Sequence, residues 1–173
     1  MEQVFLARGN AAAAGARVEA LVLEHQTKLA RYVRRLVGDA DTAMDIAQDV
    51  FFAAYRTLQA DPGRPLSPGW LYRTATNTSI SYLRRKKIVR FLSLDRDTDV
   101  RALRIDERSA ASIDLQAAMH RLPPDQAAAI MLTSYAGYSS AEAAGILSTS
   151  ADAVRQRVCR GMRQLRAVMA ERE

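Results

Sequence analysis

The strongest constraint on this chain is the spacing of its apolar residues. They recur at three- and four-residue intervals in nearly every periodic segment, and no alternating, β-branched run of strand length stands out. An all-α fold follows, and the breaks between periodic segments divide it. A first helix is expected from about Arg17 to Val37, with Leu21, Leu29, Val33 and Leu36 on its apolar side and Gly38 as its stop. Asp39 or Asp41 caps a second helix running to about Leu58. The Asp61–Pro62–Gly63 turn and Pro65 interrupt the pattern. Ser67 before Pro68 then starts a third helix that carries Trp70, Leu71, Ala75, Ile80 and Leu83 and ends in a basic stretch.

From about Leu92 the composition shifts to mixed Asp and Arg with few apolar residues, which reads as a linker over 92–111. A second set of helices follows. One passes through Ile113, Leu115, Met119 and Leu122, and another runs from a cap at Asp125 to about Tyr135. The last two lie near Ser140–Leu147 and Ala151–Met169. The expected organisation is two small helical modules, 17–91 and 112–170, joined by the linker, with no internal repeat.

Charge then narrows the partners. The 173 residues carry a formal net charge of +6, so a polyanion is the first to consider. The single cysteine, Cys159, excludes an internal disulfide framework, and with two distant histidines, His25 and His120, it offers no metal-ligand set. Neither a metal nor a cofactor is expected. There is no phosphate-cradling glycine loop and no Ser/His/Asp grouping, so no enzyme site is expected either. No apolar run reaches the roughly 20 residues of a bilayer span, and Met1 to Gly15 does not read as a signal peptide. The expected compartment is the reducing cytoplasm, with no direct membrane insertion.

Three constellations remain. The third helix carries Arg84, Arg85, Lys86, Lys87 and Arg90 with no acid among them, on the same helix as Trp70, Tyr72, Arg73, Asn77 and Tyr82. Cations beside rings suit single-stranded nucleic acid, because bases stack while phosphates are neutralised. The same cations also suit a solvated helix terminus, and the pattern leaves both readings open. On the last helix, Val154, Val158, Met162, Leu165 and Met169 form an apolar stripe. Gln156, Arg160 and Arg163 lie opposite, with Arg157 and Cys159 at the edges. The short break Ser148–Thr149–Ser150 before it makes a helix-turn-helix, whose second helix can enter a major groove. A bundle helix with a hydrated basic face is the alternative. In the second helix, Ala43, Ile46, Ala47, Val50, Ala54 and Leu58 face a core, while Asp45, Gln48, Asp49 and Phe52 share the polar side. That face is either a docking site for a basic partner or a surface on which Phe52 folds under a loop.

At these residues the chain resembles the extracytoplasmic-function (ECF) subfamily of sigma-70-type RNA polymerase sigma factors. Asp45-Ile-Ala-Gln-Asp-Val-Phe51 is similar to the family's D-L-V-Q-E-T-F motif, and Trp70-Leu-Tyr-Arg-Thr-Ala-Thr-Asn77 to its W-L-Y-R-I-A-x-N motif. Tyr82-Leu-Arg-Arg-Lys-Lys87 is similar to the basic segment that follows. Leu122-Pro-Pro-Asp-Gln126 and Tyr138 to Arg166 resemble region four. The likeness spans about Leu21 to Met169, with both modules in order.

The resemblance implies promoter-specific initiation with core RNA polymerase, met through the β′ clamp helices and the β flap, and control by an anti-sigma factor. Asp45, Gln48, Asp49 and Phe52 would dock on the clamp helices. Arg73, Asn77, Arg84, Arg85, Lys86 and Lys87, with the Gln59–Ser67 loop, would take the minus-ten element and an extruded base. Arg155, Gln156, Arg157, Cys159, Arg160 and Arg163 would meet the minus-thirty-five element. The family's usual isoleucine is here Ala143, its Gly-Ile turn is Ser148 and Thr149, and a frequent threonine is Ala153, which implies a looser region-four core. By that resemblance no acidic autoinhibitory N-terminal region and no added C-terminal domain are expected, and the linker over 92–111 reads as too short for a region-three domain. A plain DNA-binding regulator and a helical protein adaptor are the competing readings. The first predicts tight duplex binding without polymerase, and the second leaves Gln156, Arg160 and Arg163 without a role.

Overall fold

The computed structural model describes residues 2–92 and 110–170, and among these every regular element is helical. Module one is α1 (Glu2–Val37), α2 (Ala40–Ala60) and α3 (Pro68–Leu92). Module two is α4 (Ala110–Arg121), α5 (Pro124–Ile130) with a widened π-helical turn at Met131–Tyr135, α6 (Ser140–Leu147) and α7 (Ala151–Ala170). Of the expected linker, 93–109 lies outside the described residues; Leu92 ends α3, and Ala110 and Ala111 open α4.

The turn between α1 and α2 is built from two residues. Gly38 has φ +85°, and its N–H donates 2.8 Å to the Arg34 carbonyl, closing α1. Asp39 then accepts from the Thr42 N–H at 2.7 Å and starts α2. The Thr42 hydroxyl first, and its backbone N–H second, hold the Asp39 carboxyl below its ordinary value. A turn this short folds α2 back along α1. A Cβ at Gly38 would run into the His120 ring of α4, so the tight turn also seats module two. Gly38→Ala adds left-handed strain to that collision. It is expected to lower unfolding free energy by about 1–2 kcal/mol in urea titrations, with an unchanged m-value.

The core begins where helical periodicity places it. Leu29, Val33 and Leu36 of α1 are buried, with Leu21 half-buried, and all six apolar positions expected on α2 are buried, together with Phe51. Leu71, Ala75 and Ile80 complete module one. Met119, Leu122, Ala127 to Leu132, Ala143, Ile146, Val154 and Leu165 fill module two, and one contiguous apolar cluster runs through both modules.

Several expectations are corrected. Helix α1 starts at Glu2 rather than near Arg17, and Ala14 in the added stretch is fully buried. Pro123, not Asp125, occupies the cap position of α5, with Pro124 in its first turn. Asp125 instead turns its carboxylate to Arg84. The segment to Tyr135 widens into a π turn after Ile130. Buried Gly161, absent from the expected apolar stripe of α7, lets that helix approach α5; a Cβ there would lie 2.7 Å from Ile130 Cδ1.

Candidate docking and nucleic-acid surfaces

The first surface follows from the burial of α2. With one side of the helix in the core, Asp45, Gln48, Asp49 and Phe52, spaced i, i+3, i+4 and i+7, emerge on one exposed stripe. Phe52 is 62% exposed, so the ring is presented rather than folded under a loop. Met44, 42% exposed and one helical turn before Gln48, widens the apolar part of this face; the sequence reading passed over it. A ring and a thioether framed by two carboxylates can anchor on an apolar spot rimmed by cations.

The second surface lies on α3. Ser67 caps the helix, its hydroxyl oxygen accepting from the Trp70 N–H at 3.3 Å. Arg73, Asn77, Arg84 and Arg85 are exposed and Lys86 is half-buried; the Lys87 side chain lies outside the described residues. Arg73 Nη2 donates to Ser148 Oγ at 2.7 Å, and Arg84 Nη2 reaches the Asp125 carboxylate at 3.0 and 3.2 Å. Two of the cations expected on the minus-ten element therefore hold module two.

The rings are engaged as well. Tyr72 is half-buried and meets Tyr32 edge-on at 4.9 Å and Tyr138 edge-on at 5.5 Å. Burial pushes the Tyr72 and Tyr138 phenols above their ordinary value. Trp70 packs half-buried against the core. Tyr72 serves the module contact rather than standing free as a stacking platform. Beside it, Arg35 of α1 lies 4.5 Å over the Tyr135 ring, a second link between the modules.

The third surface is the α6–α7 pair. Ser139 caps α6 in a reciprocal box with Glu142: the Glu142 N–H donates to Ser139 Oγ, and the Ser139 N–H donates to Glu142 Oε2 at 2.8 Å. The Ser139 hydroxyl, then its N–H, lowers the Glu142 carboxyl. Helix α6 ends at Ser148, which takes a left-handed φ of +51° without being glycine, and the Ser150 hydroxyl oxygen caps α7 by accepting from the Ala153 N–H at 3.1 Å. Ala143 is fully buried, and Ile146 and Val154 are buried in the same apolar cluster. On α7, Arg155, Gln156, Cys159, Arg160 and Arg163 are exposed and Arg157 is half-buried. Asp152 ion-pairs with Arg155; beyond that pair, neutral Gln156 and the cations Arg160, Arg163 and Arg166 are exposed on α7.

Comparison with known proteins assigns a family to this geometry. The model for sigma-70 region 2 matches residues 21–88, and the model for sigma-70 region 4 matches residues 112–165. The chain is similar to the ECF RNA polymerase sigma factor SigE of Mycolicibacterium smegmatis, with 34% identity over 97% of this chain and 67% of that protein. The chain belongs to the ECF sigma factors. Among solved structures, its fold is similar to the sigma factor RpoE in complex with the anti-sigma factor NepR from Bartonella quintana. That match has TM-score 0.71 and 22% identity, covering 88% of this chain and 96% of that one. It is also similar to CnrH in complex with the cytosolic domain of CnrY, with TM-score 0.66 and 27% identity, covering 98% and 97%.

As an ECF sigma factor the protein acts in transcription initiation, with core RNA polymerase and promoter DNA as partners. The region 2 match contains the acidic stripe of α2 and the basic part of α3, and the region 4 match contains α6 and most of α7. Among the described residues, no group of three or more His, Cys, Asp or Glu side chains could hold a metal ion, and no helix is long and apolar enough to cross a membrane.

Proposed function

We propose a division of labour among the three surfaces. Asp45, Gln48, Asp49 and Phe52 dock this sigma factor on the β′ clamp helices of core polymerase. The Gln59–Ser67 loop with Arg73, Asn77 and Arg84 to Lys87 takes the opened minus-ten element. Module two contacts the β flap and sets Arg155, Gln156, Arg157, Cys159, Arg160 and Arg163 on the minus-thirty-five element. The protein works in the cytoplasm, carries out no reaction of its own, and is held in check by an anti-sigma factor. The functional units are 17–91 and 112–170, joined by 92–111.

The observation that carries this reading is the separation of charge by element. Acids and an exposed ring share one stripe of α2, while cations occupy α3 and the outer face of α7. A protein partner and a polyanion then meet different helices without competing. Because Arg73 and Arg84 hold Ser148 and Asp125 in the closed arrangement, engaging the minus-ten element exchanges those partners for phosphates, and the modules part.

Reconstitution tests the proposal: core polymerase plus this chain should initiate at defined promoters. A core enzyme that never binds the chain refutes it. Promoter reading by α7 is tested separately with Arg160→Ala. The variant is expected to lose about 1–3 kcal/mol of discrimination at one minus-thirty-five position, seen as near-equal initiation from templates that differ there. Its core affinity should stay unchanged.

A further inference from the structure

We propose that Arg17 is a positioning residue for minus-ten recognition: it fixes the crest of the α2–α3 loop from a helix that carries no other part of the DNA surface. The proposal rests on the reading above, in which that loop holds the extruded base. Arg17 lies before residue 21, where the region 2 match begins.

The loop runs from the end of α2 at Ala60 to the start of α3 at Pro68. Its two ends are tied down locally. The Asp61 N–H donates 3.0 Å to the Thr57 carbonyl, continuing the end of α2, while Leu66 packs against the core and Ser67 caps α3. Between these anchors the chain makes a small turn. The Gly63 N–H donates to Asp61 Oδ1 at 3.1 Å, and the Arg64 N–H donates to the Asp61 carbonyl at 3.1 Å. That turn uses the N–H groups of Gly63 and Arg64 but not the carbonyls of Pro62 and Arg64.

Arg17 takes up those carbonyls. Its Nη1 donates to the Pro62 carbonyl, and its Nη2 donates to the Arg64 carbonyl at 3.0 Å. The planar guanidinium fork matches two acceptors two residues apart, and lysine has no such fork. The fork is carried to the loop by the early part of α1. Ala14 is fully buried and Val18 is packed half-buried against the core, so the helix bearing Arg17 is seated where the loop passes. Gly63, Arg64 and Pro65 remain exposed at the crest. Arg17 therefore acts on DNA through the shape of the loop, whose own residues would face the base.

This placement makes a prediction that general destabilisation does not. Holoenzyme formed from full-length chain and core polymerase transcribes a template library randomised across the minus-ten element, and the transcripts are sequenced. Arg17→Ala and Arg17→Gln should lower the preference at the base taken by the loop about tenfold, the order contributed by charge-assisted hydrogen bonds. Preference in the minus-thirty-five element, core affinity and the salt slope of promoter binding should be unchanged, and Arg17→Lys should restore only part of the preference.

An unaltered minus-ten preference in both variants overturns the proposal. So does a uniform loss across all templates with a salt slope smaller by about one, because that is the signature of a direct phosphate contact. Substitution at the crest, Arg64→Ala, keeps the two levels apart. If Arg64→Ala shifts the preference and Arg17→Ala does not, only the role of Arg17 fails. If neither shifts it, the loop reading beneath it fails too. Circular-dichroism melts of each variant identify any loss that comes from unfolding, in which case the minus-thirty-five preference falls along with the minus-ten one.

Discussion

Asp49→Arg is expected to weaken binding to core polymerase by about 2–3 kcal/mol, roughly 30- to 150-fold in Kd, because like charges brought together across an interface cost several kcal/mol. Asp49 sits at the middle of the exposed stripe, between Asp45 and Phe52. Reversal removes an attraction and adds a repulsion at the same site. The Phe52 ring beside it excludes water on docking, which raises the strength of nearby charge interactions above their value in bulk solvent. The fold should not register the change. Asp49 is exposed in mid-helix, opposite the buried side of α2, and surface replacements of that kind usually shift stability by no more than about 0.5 kcal/mol. Competition of fluorescently tagged chain for core enzyme measures the effect, and its size should shrink as salt is added. Equal affinity of variant and parent at low salt removes α2 as the docking surface.

Much of this was legible in the sequence because it depends on local spacing. Burying Ala43, Ile46, Ala47, Val50, Ala54 and Leu58 of α2 forces the exposed quartet onto the other side, and a 3.6-residue period says so without coordinates. Gly38, Asp39 and Ser67 mark their helix ends for equally local reasons. What escaped is non-local. Arg73 meets Ser148 across 75 residues and Arg84 meets Asp125 across 41, and no window along the chain contains both partners. A cation aimed at DNA and a cation aimed at a second module look alike in sequence. The same holds for Tyr72: an aromatic beside arginines reads as a stacking ring until Tyr32 and Tyr138 are found against its edges. The early start of α1 escaped for a different reason. Gly9 and Gly15 lower helix propensity there, and the burial of Ala14 that offsets this comes from tertiary packing.

Tyr32 begins the chain of rings that crosses the module boundary, and Tyr32→Ala is expected to cost about 3–5 kcal/mol, the range for deleting a large buried aromatic. Tyr32 is fully buried, and its hydroxyl lies 2.7 Å from Thr76 Oγ1. The single Thr76 proton goes to the Tyr72 carbonyl, 2.6 Å away, so Tyr32 must be the donor to Thr76. Burial pushes the Tyr32 phenol well above its ordinary value, which keeps that proton in place. Tyr32→Phe keeps the ring and loses only the donor, for about 1–2 kcal/mol. Against a total stability of about 5–15 kcal/mol for a domain, the alanine variant surrenders a large share and the phenylalanine variant a small one. The loss has a second consequence, because Tyr32 supports Tyr72 and Tyr72 supports Tyr138 across the module boundary. Removing the first ring leaves Tyr72 free to tilt into the vacated space and withdraw its edge from Tyr138. Urea titration should therefore rank the parent above Tyr32→Phe and that variant well above Tyr32→Ala. Small-angle scattering at low denaturant should show a larger radius of gyration for the alanine variant alone. A cost below about 1 kcal/mol for Tyr32→Ala would mean that the ring chain does not bind the two modules together.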